Sequence, residues 1–82
     1  MSERIKKLLY RCHYMGTKEN EVLLKRYIIT YSNRFIEEDY HALETLLTYP
    51  DPTIYLWLTQ EIHTAPLLIQ KFLKKYQADP QK

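Results

Sequence analysis

The side chains that could perform chemistry in this chain are few, and their spacing does not form a catalytic or metal site. Cys12 and His13 are adjacent, so on a helix their side chains point about 100° apart, and His41 and His63 lie far along the chain. No two of these residues have the spacing of a zinc ligand pair. We therefore expect no metal site, and we expect Cys12 to be a small core residue.

Two further kinds of chemistry are disfavoured. A glycine-rich phosphate loop requires several glycines, whereas Gly16 is the single glycine of the chain. Carboxylates for acid–base catalysis are present at residues 37–39 and at Glu44, but acidic residues at the start of a helix more commonly stabilise the helix dipole. We therefore expect a protein that is not an enzyme and that holds no cofactor of its own.

Composition favours a small helical domain. The 82 residues, 45% apolar and 27% charged, form one domain at most. Leu and Ile are abundant while Val occurs once, which favours helices over a large sheet. No apolar run approaches the roughly 20 residues that a bilayer-spanning helix needs. The single cysteine, with no secretory leader before it, indicates a reducing compartment.

The net charge of +2 hides a segregation of charge along the chain. Residues 1–34 carry +5, residues 35–63 carry −6 and residues 64–82 carry +3. Either basic outer helices pair with an acidic middle, or the protein presents two electrostatic faces to a partner. The basic residues that could form a nucleic-acid surface are Arg4, Lys6, Lys7, Arg11, Lys25 and Arg26. Against nucleic-acid binding, the acidic middle would repel phosphates, and no helix carries the residue set used for base readout.

Apolar periodicity, capping residues and breaks predict five helices in a single all-α domain, a small five-helix bundle spanning residues 1–82. The first helix covers about 3–14 with Ser2 as its N-cap, and Thr17 caps the second. The third covers about 36–48. Asp51 caps the fourth, which ends near residue 60, and the fifth ends near residue 76. Residues 77–82 are expected to be frayed.

The predicted core faces follow the spacing of apolar residues. The second helix is expected to bury Val22, Leu23, Tyr27, Ile28 and Tyr31. The third helix is expected to bury Ile36, Tyr40, Leu43 and Leu47, which are spaced at intervals of three and four.

The most distinctive stretch runs from Tyr10 to Leu24 and has Gly16 at the corner between the first two helices. Glycine lacks a Cβ, so it can end a helix in the left-handed conformation and can let another backbone approach closely. Glu19 lies one turn into the next helix, near its positive end. By themselves these features are those of a C-cap glycine and a glutamate that stabilises a helix dipole.

Taken together, the motifs resemble the FAD assembly factors of succinate dehydrogenase, the bacterial SdhE type and its mitochondrial relatives. Gly16-Thr17-Lys18-Glu19, followed by a Leu-rich helix, is similar to the Arg-Gly-x-x-Glu signature of that family. The segment from Asp51 to Leu58 is similar to its Asp-Pro-x-Leu/Ile-aromatic-x-Trp segment. The resemblance covers about residues 4–75 and includes the order of the five helices.

One position departs from the family pattern. Met15 stands where the family has arginine, and a thioether lacks the charged, directional hydrogen bonds of a guanidinium. Arg11, one helical turn earlier, could partly substitute. The departure bears on partner binding more than on the fold.

The resemblance implies an assembly chaperone that binds the flavoprotein subunit of succinate dehydrogenase, or of fumarate reductase in bacteria. Members of the family promote covalent attachment of FAD to a histidine of that subunit, so FAD belongs to the partner. The residues placed at the partner interface by this resemblance are Met15, Gly16, Glu19, Arg11, Asp51 and Trp57. Trp57 could equally be a core residue, and Asp51 could act only as an N-cap.

The runner-up interpretation is a regulatory or nucleic-acid-binding helical module of the antitoxin kind. For the assembly factor we expect a monomer with no membrane span and no bound nucleic acid. We expect it in the bacterial cytoplasm, or in the mitochondrial matrix if the source is eukaryotic.

Overall fold

The structure is a computed structural model that describes residues 2–77. Five α-helices follow one another: α1 Glu3–His13, α2 Lys18–Tyr31, α3 Glu37–Leu46, α4 Asp51–Thr59 and α5 Leu67–Gln77. Short 3₁₀ turns lie at Ser32–Arg34 and Ile62–Thr64. The all-α prediction and the order of the helices are confirmed. Of the tail that was expected to fray, Gln77 ends α5 and residues 78–82 lie outside the described residues.

Side chains at the helix starts set where two of the helices begin. The Ser2 hydroxyl accepts a hydrogen bond from the Ile5 N–H at 3.2 Å, which confirms Ser2 as the N-cap of α1. At α3 the Asp39 carboxylate accepts from the Ile36 N–H at 3.0 Å. Ile36 is therefore the residue before the helix, and its side chain is exposed. The prediction that Ile36 lies on the buried stripe was wrong, because the helix starts one residue later.

The helices pack around one core, with α2 against both α1 and α4, and α3 against α5. The core residues with the largest fully buried side chains are Tyr76, Phe72, Leu24, Ile28, Leu43, Leu46, Ile54, Ile69 and Leu73, and Cys12 lies among them. Burial of Cys12 confirms its predicted role as a small core residue.

The buried face of α2 differs from the predicted one. Val22 is 43% exposed, whereas Asn20, Leu24 and Ile28 are fully buried at intervals of four residues. Apolar residues occur almost all round this helix, so their spacing alone does not select one face. The choice is made by packing, because α1 and α4 cover the two sides of α2 and leave the ridge that carries Val22 open.

The acidic charge of α3 is largely paired within the molecule. Arg4 of α1 contacts Glu37 at 2.8 Å and Glu44 at 3.1 Å. The Arg4 hydrogen bond lowers the pKa of Glu44. From α5, Lys71 contacts Glu38 at 3.2 Å. The first of the two interpretations of the charge pattern, in which basic outer helices pair with an acidic middle, therefore applies to α3.

A buried polar cluster joins α3 to α5. The Asp39 carboxylate is almost fully buried and accepts hydrogen bonds from the Tyr76 hydroxyl at 2.9 Å and from the Lys75 ammonium at 3.0 Å. A buried carboxylate requires such partners, because an unpaired charge in the core is costly. The cluster raises the pKa of Tyr76, first through burial and then through the Asp39 hydrogen bond.

Candidate partner-binding site

The corner between α1 and α2 is a tight turn at the protein surface. As α1 ends, the Tyr14 N–H bonds to the Arg11 carbonyl at 3.1 Å and the Met15 N–H bonds to the Cys12 carbonyl at 3.1 Å. Gly16 follows, and it is exposed. Its φ is not positive, so the predicted left-handed conformation is wrong. The turn closes through these short-range bonds instead, with backbone angles that any residue can adopt.

Gly16 leaves room for the side chain of Asp51. A Cβ at this position would lie 2.8 Å from Oδ2 of Asp51, closer than real Cβ atoms approach a neighbour. The predicted close approach therefore occurs, although the neighbour is a side chain and not a backbone. The Asp51 carboxylate occupies the volume that any other residue at the corner would fill.

Two polar side chains, one at the N-cap of α2 and one in its first turn, hold the start of α4 against this corner. The Thr17 hydroxyl donates to Oδ2 of Asp51 at 3.3 Å. The Asn20 amide donates to the Asp51 carbonyl at 2.8 Å. We call Gly16, Thr17, Asn20 and Asp51 the corner cluster. It brings together the two sequence motifs on which the family resemblance was based.

The caps at this cluster differ in part from those predicted. Thr17 is the N-cap of α2, as predicted, but its hydroxyl makes no capping bond and turns to Asp51. Asp51 is the first residue of α4, and Pro50 occupies the N-cap position. The prediction that Asp51 caps α4 was therefore wrong by one residue, because its carboxylate is used across the interface with α2.

Asn20 is the member of the cluster that sequence reasoning missed. It is fully buried, and its Oδ1 has no hydrogen-bond partner among residues 2–77. The signal was available: an amide lies four residues before Leu24 and eight before Ile28, on the stripe that faces the core. Buried amides at such positions usually serve a specific contact, which here is the link to Asp51.

Beside the corner, α2 and α4 form a shallow apolar groove at the surface. Val22 is 43% exposed and Tyr55 is 39% exposed. The residues lining the groove are Lys18, Glu19, Val22, Leu23, Tyr55 and Thr59. The Glu19 carboxylate is exposed and makes no ion pair within the described part of the chain. We call Gly16 and this groove the corner face, a surface that combines apolar contact area with an unpaired carboxylate.

The other predicted interface residues occupy different environments. Met15 is half-buried and packs against the core, and Arg11 lies on the outer face of α1. Trp57 is only 7% exposed; its indole N–H donates to the Thr64 hydroxyl at 3.1 Å. The structure thus places Trp57 in the core, one of the two roles left open for it. Partner contact by the six proposed residues stays a prediction.

The described residues contain little that could support chemistry. Burial raises the pKa of the Cys12 thiol from 9.0 to about 11, so the thiol is protonated at neutral pH. Within residues 2–77, no three His, Cys, Asp or Glu side chains come close enough together to hold a metal ion. Over the same range, no helix has the length and apolar character needed to cross a membrane.

The described residues form a small all-helical domain with an exposed, partly apolar surface beside a helix-to-helix turn. Residues 6–79 match the family described as flavinator of succinate dehydrogenase, and the chain belongs to this family. The family resemblance inferred from the two motifs is thereby confirmed.

Curated relatives carry assembly-factor names. The chain is 34% identical to "Succinate dehydrogenase assembly factor 2, mitochondrial" of Scheffersomyces stipitis, over 89% of this chain and 52% of the relative. It is 36% identical to "FAD assembly factor SdhE" of Legionella pneumophila, over 63% of this chain and 65% of the relative. The chain thus spans about half to two thirds of the length of these two relatives. No solved structure matches the chain.

Proposed function

We propose that this chain binds the flavoprotein subunit of succinate dehydrogenase and promotes covalent attachment of FAD to that subunit. Membership of the flavinator family supports the client and the reaction, and the names of the relatives support an assembly role over an enzymatic or nucleic-acid-binding one. The observation that carries the proposal is the exposed corner at Gly16, flanked by the unpaired Glu19 carboxylate and an apolar groove.

The corner face can act by selecting a conformation of its client. A rigid surface that fits one conformation better than another shifts the population toward the better-bound one. If the favoured conformation brings the acceptor side chain of the client close to the flavin, bond formation is accelerated by proximity. FAD then stays with the partner, and this chain contributes a binding surface and no reacting group.

The same proposal extends to the setting in which the protein works. The flavoprotein subunit of fumarate reductase is a second candidate client, and the chain would act as a monomer. The compartment is the bacterial cytoplasm, or the mitochondrial matrix in a eukaryote, because relatives from both kinds of organism carry assembly-factor names.

Flavin fluorescence tests the proposal. The flavoprotein subunit is produced with and without this chain, denatured, and separated on a gel, so that only covalently bound flavin remains with the protein. We expect a clear increase in fluorescence when the chain is present. Equal fluorescence in both lanes would count against the proposed function.

Variants of the corner face connect that activity to the surface. Gly16→Arg places a long side chain where the Asp51 carboxylate and the client would both contact it; we expect a folded protein that fails to support flavin attachment. Glu19→Gln removes the unpaired charge and should weaken client binding by roughly tenfold. Glu3→Gln, a change at an exposed carboxylate at the start of α1, away from the corner, is the matched control and should bind normally.

A further inference from the structure

Part of the positive charge on α1 and α2 makes no ion pair within residues 2–77. The acids of α3 are paired by Arg4, Lys71 and Lys75. By contrast, five exposed cations of α1 and α2 make no ion pair with any residue in the range 2–77: Lys6, Lys7, Arg11, Lys18 and Arg26. An anionic partner that approaches α1 and α2 would gain by pairing with these cations.

One of these cations, Lys6, lines a second groove, between α1 and α2, that has apolar side chains in it. Lys7 and Arg11 lie with Lys6 and Tyr10 on the adjoining face of α1. Tyr10 is 65% exposed and Ile29 is 63% exposed, unusually open for large apolar side chains. The residues lining this α1–α2 groove are Lys6, Leu9, Tyr10, His13, Lys25 and Ile29. The edge of the Tyr10 ring packs against Tyr14, with ring centroids 4.9 Å apart.

The carboxylate nearest this groove does not cancel its positive character. Glu21 is largely buried and contacts Lys25 at 2.8 Å and His13 at 3.3 Å, so its charge is already paired. The hydrogen bond from Lys25 lowers the pKa of Glu21, which keeps it ionised and unavailable as a new partner. Lys6 remains at the edge of the groove as an exposed cation without an ion pair in the described range.

The α1–α2 groove and the corner face lie along one exposed ridge of α2. Val22 lines the corner face and Ile29 lines the α1–α2 groove. They are seven residues apart, two helical turns, so their side chains point within about 20° of each other. A client that covers the corner face can therefore reach the groove without leaving the surface of α2.

We propose that the α1–α2 groove binds an acidic segment of the client that carries an aliphatic or aromatic side chain. The inference rests on the proposed function, to which it adds a second contact, in the groove between α1 and α2. Lys6, with Lys7 and Arg11 beside it on α1, selects carboxylates, and Tyr10 and Ile29 offer apolar contact to one side chain between them. An anionic bilayer fits less well, because interfacial binding uses a wide apolar face of one helix, whereas these side chains belong to two helices.

A synthetic peptide tests the groove without the client. The probe is a decapeptide of Glu and Asp with a central Leu, titrated into the ¹⁵N-labelled full chain while amide shifts are recorded. We expect shifts concentrated at Tyr10, His13 and Ile29, and affinity that falls roughly tenfold between low and high salt because the attraction is screened. Lack of binding, or shifts confined to another surface, would overturn the proposal.

Matched variants separate the groove from general charge. Lys6→Glu and Ile29→Glu should each weaken peptide binding by roughly five- to tenfold. Lys74→Glu and Leu67→Glu alter an exposed cation and an exposed apolar residue of α5 and should leave binding unchanged. Binding of phosphatidylglycerol vesicles through the same groove, with no peptide binding, would show that a membrane is the occupant and the proposal is wrong.

Client binding distinguishes failure of this inference from failure of the proposed function. If the wild-type chain does not bind the flavoprotein subunit at all, the proposed function fails, and the peptide titration alone decides the groove. If the wild-type chain binds, the double variant Lys6→Glu/Ile29→Glu should lose roughly tenfold or more in affinity. Equal affinity of the double variant would overturn the second contact while leaving the corner face intact.

Discussion

The carboxylate of Asp51 lies against Gly16, with Oδ2 2.8 Å from the point where a Cβ would stand. Thr17, the next residue, donates to the same oxygen across 34 positions of sequence. The two motifs that identify the family are thus two sides of one contact. The glycine leaves room for the aspartate, and the aspartate is held by Thr17 and Asn20, which follow the glycine.

This relationship predicts that substitutions at Gly16 and Asp51 are coupled. Gly16→Ala should lower the free energy of unfolding by about 1 kcal/mol, because the new methyl group displaces the carboxylate from Thr17. In an Asp51→Ala background that clash is absent and the backbone is unstrained, so Gly16→Ala should be neutral or stabilise by about 0.4–1 kcal/mol. Urea denaturation of the four proteins measures the coupling. Additive effects would show that the contact is not important to stability.

Met15 offers a gain-of-function prediction. Met15→Arg introduces the arginine that the family resemblance implies at this position, and the arginine stem can keep part of the packing against the core while its guanidinium reaches the surface. We expect client affinity to rise several-fold, measured by calorimetry, with a loss of stability of about 1 kcal/mol or less. Met15→Leu keeps the apolar contact and should leave affinity as in the wild type. Unchanged affinity for Met15→Arg would mean that the departure from the family pattern has no cost in binding.

Two aromatic residues of α4 should separate stability from binding. Trp57→Phe loses the hydrogen bond to Thr64 and leaves a void beside Tyr49, so it should cost about 2 kcal/mol while the folded protein binds the client normally. Tyr55→Ala removes an exposed ring from the corner face. It should weaken client binding roughly tenfold and leave the stability of the protein nearly unchanged. A large loss of affinity for Trp57→Phe at full stability would make Trp57 a contact residue.

Cys12 should make stability depend on alkaline pH. Burial raises the pKa of its thiol in the folded state to about 11, so between pH 9 and 11 the unfolded chain loses a proton that the native chain keeps. The stability that depends on the thiol of Cys12 being protonated is fully present below about pH 9. Above that pH the free energy of unfolding falls by at most about 1.4 kcal/mol per pH unit. Urea denaturation at pH 8 to 10.5 should show a shallower decline for Cys12→Ala. The wild type must be compared with Cys12→Ala because the raised pKa of Tyr76 also lowers the free energy of unfolding at higher pH, in both proteins. Parallel curves would contradict the raised pKa.

The helices themselves were predictable because their signals are local. Caps, prolines and runs of apolar residues act over one or two turns, so Ser2 and Thr17 marked the starts of α1 and α2 correctly. The burial of Cys12 followed from its place on a narrow stripe of a helix with one apolar face. Where the apolar residues surround a helix, as in α2, the same reasoning selected Val22 for the core and was wrong.

The amino-acid sequence by itself determined the five helices, their order and the two motifs that place the chain in its family. Only the tertiary structure decided that Gly16 lies against the carboxylate of Asp51 and that Asn20 is buried and bonds to the start of α4. It also decided that Trp57 is buried in the core whereas Val22 is exposed. The physical reason is the distance along the sequence over which the stabilising interactions act. A helix is stabilised by neighbours within a few residues, whereas the corner and the exposed ridge of α2 depend on which helices pack on which sides.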